Sequence, residues 1–312
     1  MRILYMGTPE FAVAPLSALA EAGHEIVGVF TQPDRQKGRG MKLLAPPVKE
    51  IALERGFPVY QPETLRGYAV KPLLEELRPD LIAVAAYGQI LPPYVLKAAG
   101  YGCINVHASL LPKYRGAAPI QRAIMAGERE TGVTIMYMEK TLDTGDIILA
   151  EATPVGEQET AGDLTARLSE IGSSLLVRAV SMLQEGTATR TPQRNELSTY
   201  ASMITREDAR IDWTCTAREV VDRIRAMLPA PGAFAMCGTN VYKVADAVVI
   251  DGKGMPGTVL GVREGRMIVA CGMGAVAIGQ IQAPGGRRMS VLDYARGHAL
   301  PEMFDCKGST HG

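Results

Sequence analysis

The chain has 312 residues and carries 33 acidic and 33 basic side chains, so its formal net charge is zero. This length allows two domains with a core each, and 47% hydrophobic residues are ordinary for a globular protein. No apolar stretch approaches the roughly 20 residues that span a bilayer, and no signal-peptide pattern opens the chain. Five scattered cysteines without a Cys-x-x-Cys pair argue against a zinc site or a disulfide framework, so we expect no metal and a cytoplasmic location.

The neutral net charge also bears on partners. Domains that bind nucleic acids often carry a basic excess, so composition alone argues mildly against an RNA partner. A local basic patch is still compatible with RNA binding, because affinity depends on the charges in contact and not on their total.

The first half of the chain alternates short apolar strands with helical patterns. Strands are predicted at residues 3–6, 24–31, 58–60, 80–87, 103–108 and 133–138. Helices are predicted at residues 9–22, 46–55, 70–77, from about 117, and at 160–184. This alternation predicts an α/β domain with a Rossmann-like, mainly parallel sheet, whose ligands bind beyond the carboxyl ends of the strands. The residues that fall at or beyond such ends are Gly7, Thr31, Tyr87, His107 and Asp143.

The character of the sequence changes after the long helical pattern. Residues 187–206 are polar and rich in turn formers, so they are predicted to link two domains. A helix is predicted at 217–228, and short strands separated by glycines follow at 233–235, 240–245, 247–250, 257–260, 267–270 and 275–278. This pattern predicts a small C-terminal β-barrel.

Asn105, His107 and Asp143 are the candidate catalytic residues. Asn105 and His107 are two apart in a predicted strand, so their side chains should lie on one face of the sheet. Asp143 lies in the turn after the next predicted strand. An amide, an imidazole and a carboxylate together can polarise a carbonyl, stabilise an oxyanion and move a proton. No serine or cysteine nucleophile is required, because a substrate can supply its own.

Each of these residues taken alone has an ordinary structural explanation. Asparagine near a strand end often satisfies a local turn, a histidine in an apolar run is more often a core residue, and Asp-Thr-Gly is a common turn. The flanking sequence favours the catalytic interpretation. Asn105-x-His107 is followed by Ser109-Leu-Leu-Pro-Lys-Tyr-Arg-Gly116 and later by Leu142-Asp-Thr-Gly-Asp146.

In this order the motifs closely resemble the formyltransferases that use 10-formyltetrahydrofolate as co-substrate. The resemblance implies that Asn105, His107 and Asp143 act together at the formyl group. It also implies a folate site lined by Tyr87, Gly88, Ser109, Leu110, Leu111 and Pro112.

Further motifs resemble the branch of this family whose acceptor is the α-amine of methionyl-tRNA. They are Met6-Gly-Thr-Pro-Glu-Phe-Ala12, Phe30-Thr-Gln-Pro-Asp-Arg35, Ala86-Tyr-Gly-Gln-Ile-Leu91 and Arg210-Ile-Asp-Trp213. The resemblance is dense to about residue 215 and thin beyond it. It implies charged initiator tRNA as a partner, no membrane partner, and a chain that we expect to be a monomer.

The resemblance also assigns roles to two regions beyond the catalytic residues. By composition, the loop with Arg35, Lys37, Arg39 and Lys42 is an ordinary solvated loop, whereas by resemblance it enters the acceptor arm of the tRNA with Arg39 at the key position. The implied domains are a catalytic domain at 1–186, a linker at 187–206, and an OB-like tRNA-binding domain at 207–312. The tail after Pro301 has no assigned function.

The expected reaction is attack of the acceptor amine on the formyl carbon. Asn105 and a protonated His107 would donate to the formyl oxygen, and Asp143 would keep His107 charged, because an isolated imidazole is only partly protonated at neutral pH. Three alternatives remain: a relative that formylates a small amine such as an amino sugar nucleotide, a hydrolase that releases formate, and a non-catalytic folate- or RNA-binding module.

Overall fold

A computed structural model describes residues 1–37 and 42–306, which form two compact units. The first unit comprises Met1–Pro119, Glu130–Pro154 and Thr165–Ala201. The second comprises Ile120–Arg129, Val155–Leu164 and the chain from Ser202 onward. Residues 187–201, the greater part of the predicted linker, therefore group with the first unit. No helix among the described residues is long and apolar enough to cross a membrane.

Most elements before residue 202 belong to the first unit. The strands are β1 (Arg2–Gly7), β2 (Glu25–Phe30), β3 (Arg35–Lys37), β4 (Lys42–Leu44), β5 (Val59–Tyr60), β6 (Leu81–Ala85), β7 (Cys103–His107), β8 (Arg115–Gly116), β9 (Glu130–Tyr137), β10 (Ile147–Pro154) and β11 (Tyr200–Ala201). The helices are α1 (Val13–Glu21), α2 (Pro47–Glu54), α3 (Lys71–Leu77), α4 (Pro93–Leu96), α5 (Pro119–Met125) and α6 (Ala161–Glu185). Short 3-10 turns cover Glu10–Ala12, Arg66–Tyr68, Asn195–Leu197 and Glu207–Ala209.

One seven-stranded sheet organises the first unit, in the order β10-β9-β7-β6-β1-β2-β5. Five neighbouring strands pair in parallel, in the order β5-β2-β1-β6-β7. Strand β9 pairs antiparallel with β7, and β10 pairs antiparallel with β9 at the edge of the sheet. Strands β6 and β7 are buried along their whole length, as continuous apolar runs between parallel neighbours require. The Rossmann-like, mainly parallel sheet predicted from the sequence is confirmed.

Two details of this sheet differ from the prediction. Strand β6 ends at Ala85 instead of residue 87, because Ala86 adopts the left-handed conformation with φ 46° and turns the chain out of the sheet. The edge strand β10 was not predicted. Its apolar run is confined to residues 147–150, and three of its successive residues, 150–152, are largely solvent-accessible, as an edge strand permits.

The second unit is built on a curled antiparallel sheet, half of a barrel, which confirms the predicted C-terminal β-barrel class. Its elements are α7 (Ala217–Ala226), β12 (Phe234–Cys237), β13 (Asn240–Ile250), β14 (Val259–Arg263), β15 (Arg266–Ala270), β16 (Ala275–Gln282), β17 (Met289–Ser290) and α8 (Val291–Gly297). The strand order is β12-β13-β16-β15-β14, and β17 pairs with β16. Two predicted strands at 240–250 are one strand, in which Asp246 has φ 54° without breaking the pairing with β16.

Helix α7 covers the core of the second unit. Thr216 begins it with a capping box, in which the Thr216 hydroxyl accepts from the Glu219 amide and the Glu219 carboxylate accepts from the Thr216 amide at 2.8 Å. Val220, Val221 and Ile224 are buried against the same cluster as Trp213.

The tail after Pro301 belongs to this core as far as the structure describes it. Phe304 is completely buried and stacks on Trp213 with ring centroids 5.5 Å apart. The Asp305 amide donates to the Met236 carbonyl at 2.8 Å. The tail to residue 306 therefore has a packing role, and residues 307–312 lie outside the described part.

The Arg122–Asp208 pair gives a stability prediction for the second unit. Two guanidinium nitrogens of Arg122 reach the two Asp208 oxygens at 2.8 and 2.9 Å. These bonds hold the pKa of the Asp208 carboxyl well below its usual range. A carboxyl whose folded pKa is depressed stabilises the fold above its ordinary pKa and loses that contribution as the pH falls.

We therefore expect Asp208→Asn to lower the stability of the second unit by about 1–3 kcal/mol at pH 7 and by progressively less between pH 5 and pH 2. Trp213, the one tryptophan of the chain, reports urea unfolding of this unit by fluorescence. Arg296→Gln, which removes an exposed pair with Asp293, is the control and should change little. An equal loss at pH 7 and pH 3 would contradict the ionic origin.

Candidate active site

Asn105 and His107 lie at the carboxyl end of β7, between β6 and β9. The register with β9 is unbroken from Ile104 to His107, so period two places the two side chains on one face. Asn105 is 8% exposed and His107 5% exposed. Within the described residues, no side-chain hydrogen bond occupies the Asn105 amide, which leaves both its donor and its acceptor for another molecule.

Asp143 joins them from the turn after β9. Its Oδ2 lies 3.7 Å from Nδ1 of His107, and its side chain is almost as buried as that of His107. The same Oδ2 accepts a hydrogen bond from the Gly116 amide at 2.8 Å. The structure therefore brings together the three residues that the sequence singled out.

The other imidazole nitrogen, Nε2, fixes the orientation of the His107 ring. Nε2 lies 3.0 Å from the carbonyl oxygen of Tyr114. A carbonyl oxygen only accepts, so Nε2 carries a proton in this contact, and Nδ1 is the nitrogen that faces the carboxylate. At 3.7 Å the Nδ1–Oδ2 distance is too long for a hydrogen bond, so Asp143 does not occupy Nδ1 of His107.

The turn that carries Asp143 has an unusual backbone. Asp143 has φ 52°, in the left-handed region where Asp is one of the few tolerated side chains. Two residues later, any Cβ at Gly145 would collide with the carbonyl group of Tyr137. Glycine at 145 therefore lets the turn fold tightly against the end of β9.

The segment Ser109 to Pro112 is held by its own hydrogen bonds. The Ser109 hydroxyl donates to the Lys113 carbonyl at 2.6 Å, so Ser109 serves as a turn residue. The Thr134 hydroxyl donates to the Ser109 carbonyl at 2.7 Å and accepts from the Leu111 amide at 3.2 Å. Thr134 thus fixes this segment beside His107, its partner in the β7–β9 register.

The predicted folate residues Tyr87 and Gly88 follow β6. The Tyr87 ring is buried in the core of the first unit, where desolvation raises the pKa of its hydroxyl. Only its backbone faces the strand ends: the Tyr87 carbonyl accepts from the Thr8 hydroxyl at 2.9 Å. Gly88 has φ 91°, a conformation that favours glycine.

Cys103 is the nucleophilic side chain nearest to Asn105 in the sequence. Burial raises the pKa of its thiol to about 12, and its Sγ donates to the Val95 carbonyl at 3.6 Å. A thiol in this state is neutral and unreactive at neutral pH. The described residues contain no group of three or more His, Cys, Asp or Glu side chains arranged to hold a metal ion.

The basic loop is only partly within the described structure. Strands β3 and β4 form a short antiparallel ribbon in which Arg35 pairs with Leu44. Arg39 and the side chains of Lys37 and Lys42 lie outside the described part, so their role stays a prediction. At the base of the ribbon, Lys49 donates to Asp34 at 2.8 Å and, with Gln61, holds the pKa of the Asp34 carboxyl below its usual range.

Arg115 and Gln193 complete the site. Arg115 is 2% exposed, and its guanidinium donates to Gln193 Oε1 at 2.7 and 3.1 Å and to Asn195 Oδ1 at 2.8 Å. The Gln193 amide nitrogen donates to the carbonyl oxygens of Asp143 and Gly145 at 3.0 and 2.8 Å. The Arg115 guanidinium is thus bound to side chains of the protein itself. Sequence reasoning did not single out Gln193, because it lies in a polar stretch without periodicity or a recognisable motif.

Comparison with known proteins agrees with this geometry. The formyl transferase family matches residues 1–180, and the C-terminal domain of formyl transferases matches residues 203–299. The solved N-formyltransferase from Helicobacter canadensis, in complex with folinic acid and dTDP-3-aminofucose, has a TM-score of 0.67 at 19% identity, covering 93% of this chain and 100% of its own. HypX from Aquifex aeolicus with tetrahydrofolic acid has a TM-score of 0.64 at 20% identity, covering 95% and 47%. At these identities the solved structures show the shared fold.

Relatives with higher sequence identity indicate a particular class of formyl transferase. A methionyl-tRNA formyltransferase from Alkaliphilus oremlandii is 47% identical over 96% of this chain and 97% of its own length. Another, from Pseudomonas syringae pv. syringae, is 46% identical over 94% of this chain and 93% of its own. The chain therefore belongs to the formyl transferase family and, within it, to the methionyl-tRNA formyltransferases.

The contacts of Thr134 give a prediction for the 109–112 segment. Thr134→Val keeps the shape of the buried side chain but leaves the Ser109 carbonyl and the Leu111 amide unpaired. We expect a loss of about 1–3 kcal/mol in stability and faster hydrogen exchange at the Leu111 amide. Thr134→Ser keeps the hydroxyl and should retain most of the protection. Equal exchange rates in both variants would show that the hydroxyl does not hold the segment.

Proposed function

We propose that the chain transfers the formyl group from N10 of 10-formyltetrahydrofolate to the α-amino group of charged initiator methionyl-tRNA. The observation that carries this proposal is the convergence of a free Asn105 amide with the His107–Asp143 pair, in a chain of this family. The family uses 10-formyltetrahydrofolate, and the relatives with 46–47% identity are methionyl-tRNA formyltransferases. A chemical step follows for each of the three side chains.

Asn105 and His107 would stabilise the charge that develops on the formyl oxygen. As the amine nitrogen bonds to the formyl carbon, the carbonyl oxygen gains negative charge. The Asn105 amide has no other side-chain acceptor, and His107 Nδ1, which would carry a proton in the proposed mechanism, has no hydrogen-bonded acceptor at 3.7 Å from Asp143. Each such donor contributes roughly 3–4 kcal/mol of transition-state stabilisation.

Asp143 would manage the protons. The attacking nitrogen must lose a proton and N10 must gain one as the C–N10 bond breaks. The Asp143 carboxylate, held by the Gly116 amide and 3.7 Å from His107 Nδ1, would orient His107 and take the proton of the incoming amine, directly or through water. The net result is one N–C bond formed, one broken, and one proton moved to the departing N10.

The folate would lie along the strand ends described above. We assign its walls to the backbone of Tyr87 and Gly88 and to the segment Ser109, Leu110, Leu111 and Pro112. The Thr134 hydroxyl holds the 109–112 segment by a hydrogen bond, and Thr134 is paired with His107 in the β7–β9 register. This position beside His107 supports the assignment of the segment to the reacting end of the folate. A rigid wall favours a fixed attack geometry.

The tRNA would be bound by two parts of the chain. We assign the acceptor end to the loop with Arg35, Lys37, Arg39 and Lys42, and further contacts to the OB-like domain at 207–312. Residues 1–186 would form the catalytic domain, with 187–206 leading to the tRNA-binding domain. We further propose that the enzyme is a monomer in the cytoplasm. Light scattering of the purified chain and fractionation of cells test these two statements.

Substitution of the three catalytic residues tests the mechanism. We expect Asn105→Ala, His107→Ala and Asp143→Ala each to lower kcat by about 10²–10³, and the effects not to add in double variants, because the three groups act as a unit. The assay compares charged initiator tRNA with free methionine and an amino sugar nucleotide. His24→Ala, at the opposite ends of the parallel strands, is the control. Wild-type turnover in any of the three variants would show that its residue is not catalytic. A preference for the amino sugar nucleotide over charged tRNA would show that the proposed acceptor is wrong.

The basic loop gives a separate prediction. Arg39→Ala should raise KM for charged tRNA, leave folate binding unchanged, and reduce the slope of log K against log salt by about one per lost phosphate contact. Arg39→Lys keeps the charge but loses the planar fork, so an intermediate effect would indicate bidentate binding. Lys97→Ala, which removes an exposed cation near the start of β7, is the matched control. Equal tRNA kinetics in Arg39→Ala and Lys97→Ala would show that Arg39 does not contribute to tRNA binding.

A further inference from the structure

We propose that Gln193 is a positioning residue for catalysis, which sets the placement of Asp143 relative to His107. This inference rests on the proposed function for its kinetic test. It concerns a residue within the stretch predicted to be a linker.

The orientation of the amide is determined by its neighbours. The guanidinium of Arg115 can only donate, and it meets Oε1 of Gln193 at 2.7 and 3.1 Å. The carbonyls of Asp143 and Gly145 can only accept, and they meet Nε2 at 3.0 and 2.8 Å. A flipped amide would place donor against donor and acceptor against acceptor. Gln193 is therefore held in one orientation by four hydrogen bonds.

These bonds join the two pieces of chain that hold the ionisable pair. On one side, Arg115 lies between Tyr114, whose carbonyl binds His107 Nε2, and Gly116, whose amide binds Asp143 Oδ2. On the other side is the turn that carries Asp143 itself. The left-handed backbone of Asp143 is an unfavourable conformation for a residue with a side chain, so this turn needs support from its surroundings.

The neighbours of Gln193 contact only one of these pieces. Asn195 accepts from Arg115, and Thr199 accepts from the amides of Tyr114 and Arg115, both at 2.9 Å. Among the described residues of 193–201, Gln193 is the one whose side chain reaches both Arg115 and the Asp143 turn. Gln193 therefore links the segment 114–116, whose Tyr114 carbonyl contacts His107, to the backbone that carries Asp143.

Kinetics of two alanine variants test this role. We expect Gln193→Ala to lower kcat for charged tRNA by about ten- to a hundredfold, because a displacement near 1 Å costs this much, with KM for both substrates almost unchanged. Asn195→Ala removes a neighbouring Arg115 acceptor without touching the Asp143 turn, so it is the matched control and should change kcat by less than about threefold. Gln193→Glu keeps an acceptor for Arg115 but faces two carbonyls with a carboxylate, and should lose at least as much turnover as Gln193→Ala.

A double-variant cycle separates positioning from general stability. In an Asp143→Ala background, Gln193→Ala should lower the remaining kcat by less than about threefold, since its target is already gone. A residue needed only for folding would lower kcat by the same factor in both backgrounds, and that result would overturn the proposal. Turnover of Gln193→Ala equal to that of Asn195→Ala would also overturn it.

Hydrogen exchange provides a readout that does not depend on the reaction. The Gly116 amide is protected by Asp143 Oδ2, so it should exchange at least about tenfold faster in Gln193→Ala than in Asn195→Ala if Asp143 is displaced. If the wild-type chain failed to formylate methionyl-tRNA, the proposed function would fail while this measurement still tested the positioning role. Unchanged Gly116 exchange in Gln193→Ala would reject the role even in an active enzyme.

Discussion

The contact between the Gly116 amide and the Asp143 carboxylate is the constraint on which the proposed active site depends. Asp143 and His107 are both more than nine-tenths buried, and a charged side chain in such surroundings is costly unless polar groups replace its water. Here the replacing groups belong to the backbone: the Gly116 amide at 2.8 Å from the carboxylate and the Tyr114 carbonyl at 3.0 Å from the imidazole. Neither ionisable side chain satisfies the other, so both remain available to a substrate.

Gly116 shows why the backbone geometry at this point is restricted. Its φ of 120° favours glycine, and a Cβ there would lie 2.7 Å from the Ala201 carbonyl oxygen in the β8–β11 pair. A larger residue would push the two strands apart and withdraw the amide from Asp143. The same close approach lets β11 lie beside β8, so this strand pair holds Gly116 where its amide reaches Asp143.

The sequence predicted the features that follow from local periodicity. Buried parallel strands have continuous apolar runs, and a two-residue spacing fixes a shared face, so the sheet and the placement of Asn105 with His107 were predictable. The placement of Asp143 was predictable because it lies in the turn directly after a predicted strand. Gln193, Arg115 and Phe304 act through partners that are tens of residues away, and such contacts leave no local pattern. The inward orientation of the Tyr87 ring was hidden for the same reason, since it depends on the left-handed backbone at Ala86.

The division of the chain into interleaved pieces has a consequence for synthesis on the ribosome. His107 and Asp143 emerge well before Gln193 and Ala201, so the first unit cannot complete its active site until the chain has grown beyond residue 201. The pieces 120–129 and 155–164 wait longer still, because their own unit closes only with Phe304, which is eight residues from the end of the chain. A nascent chain therefore carries all three proposed catalytic side chains, while residues 144–201 are synthesised, without the framework that aligns them.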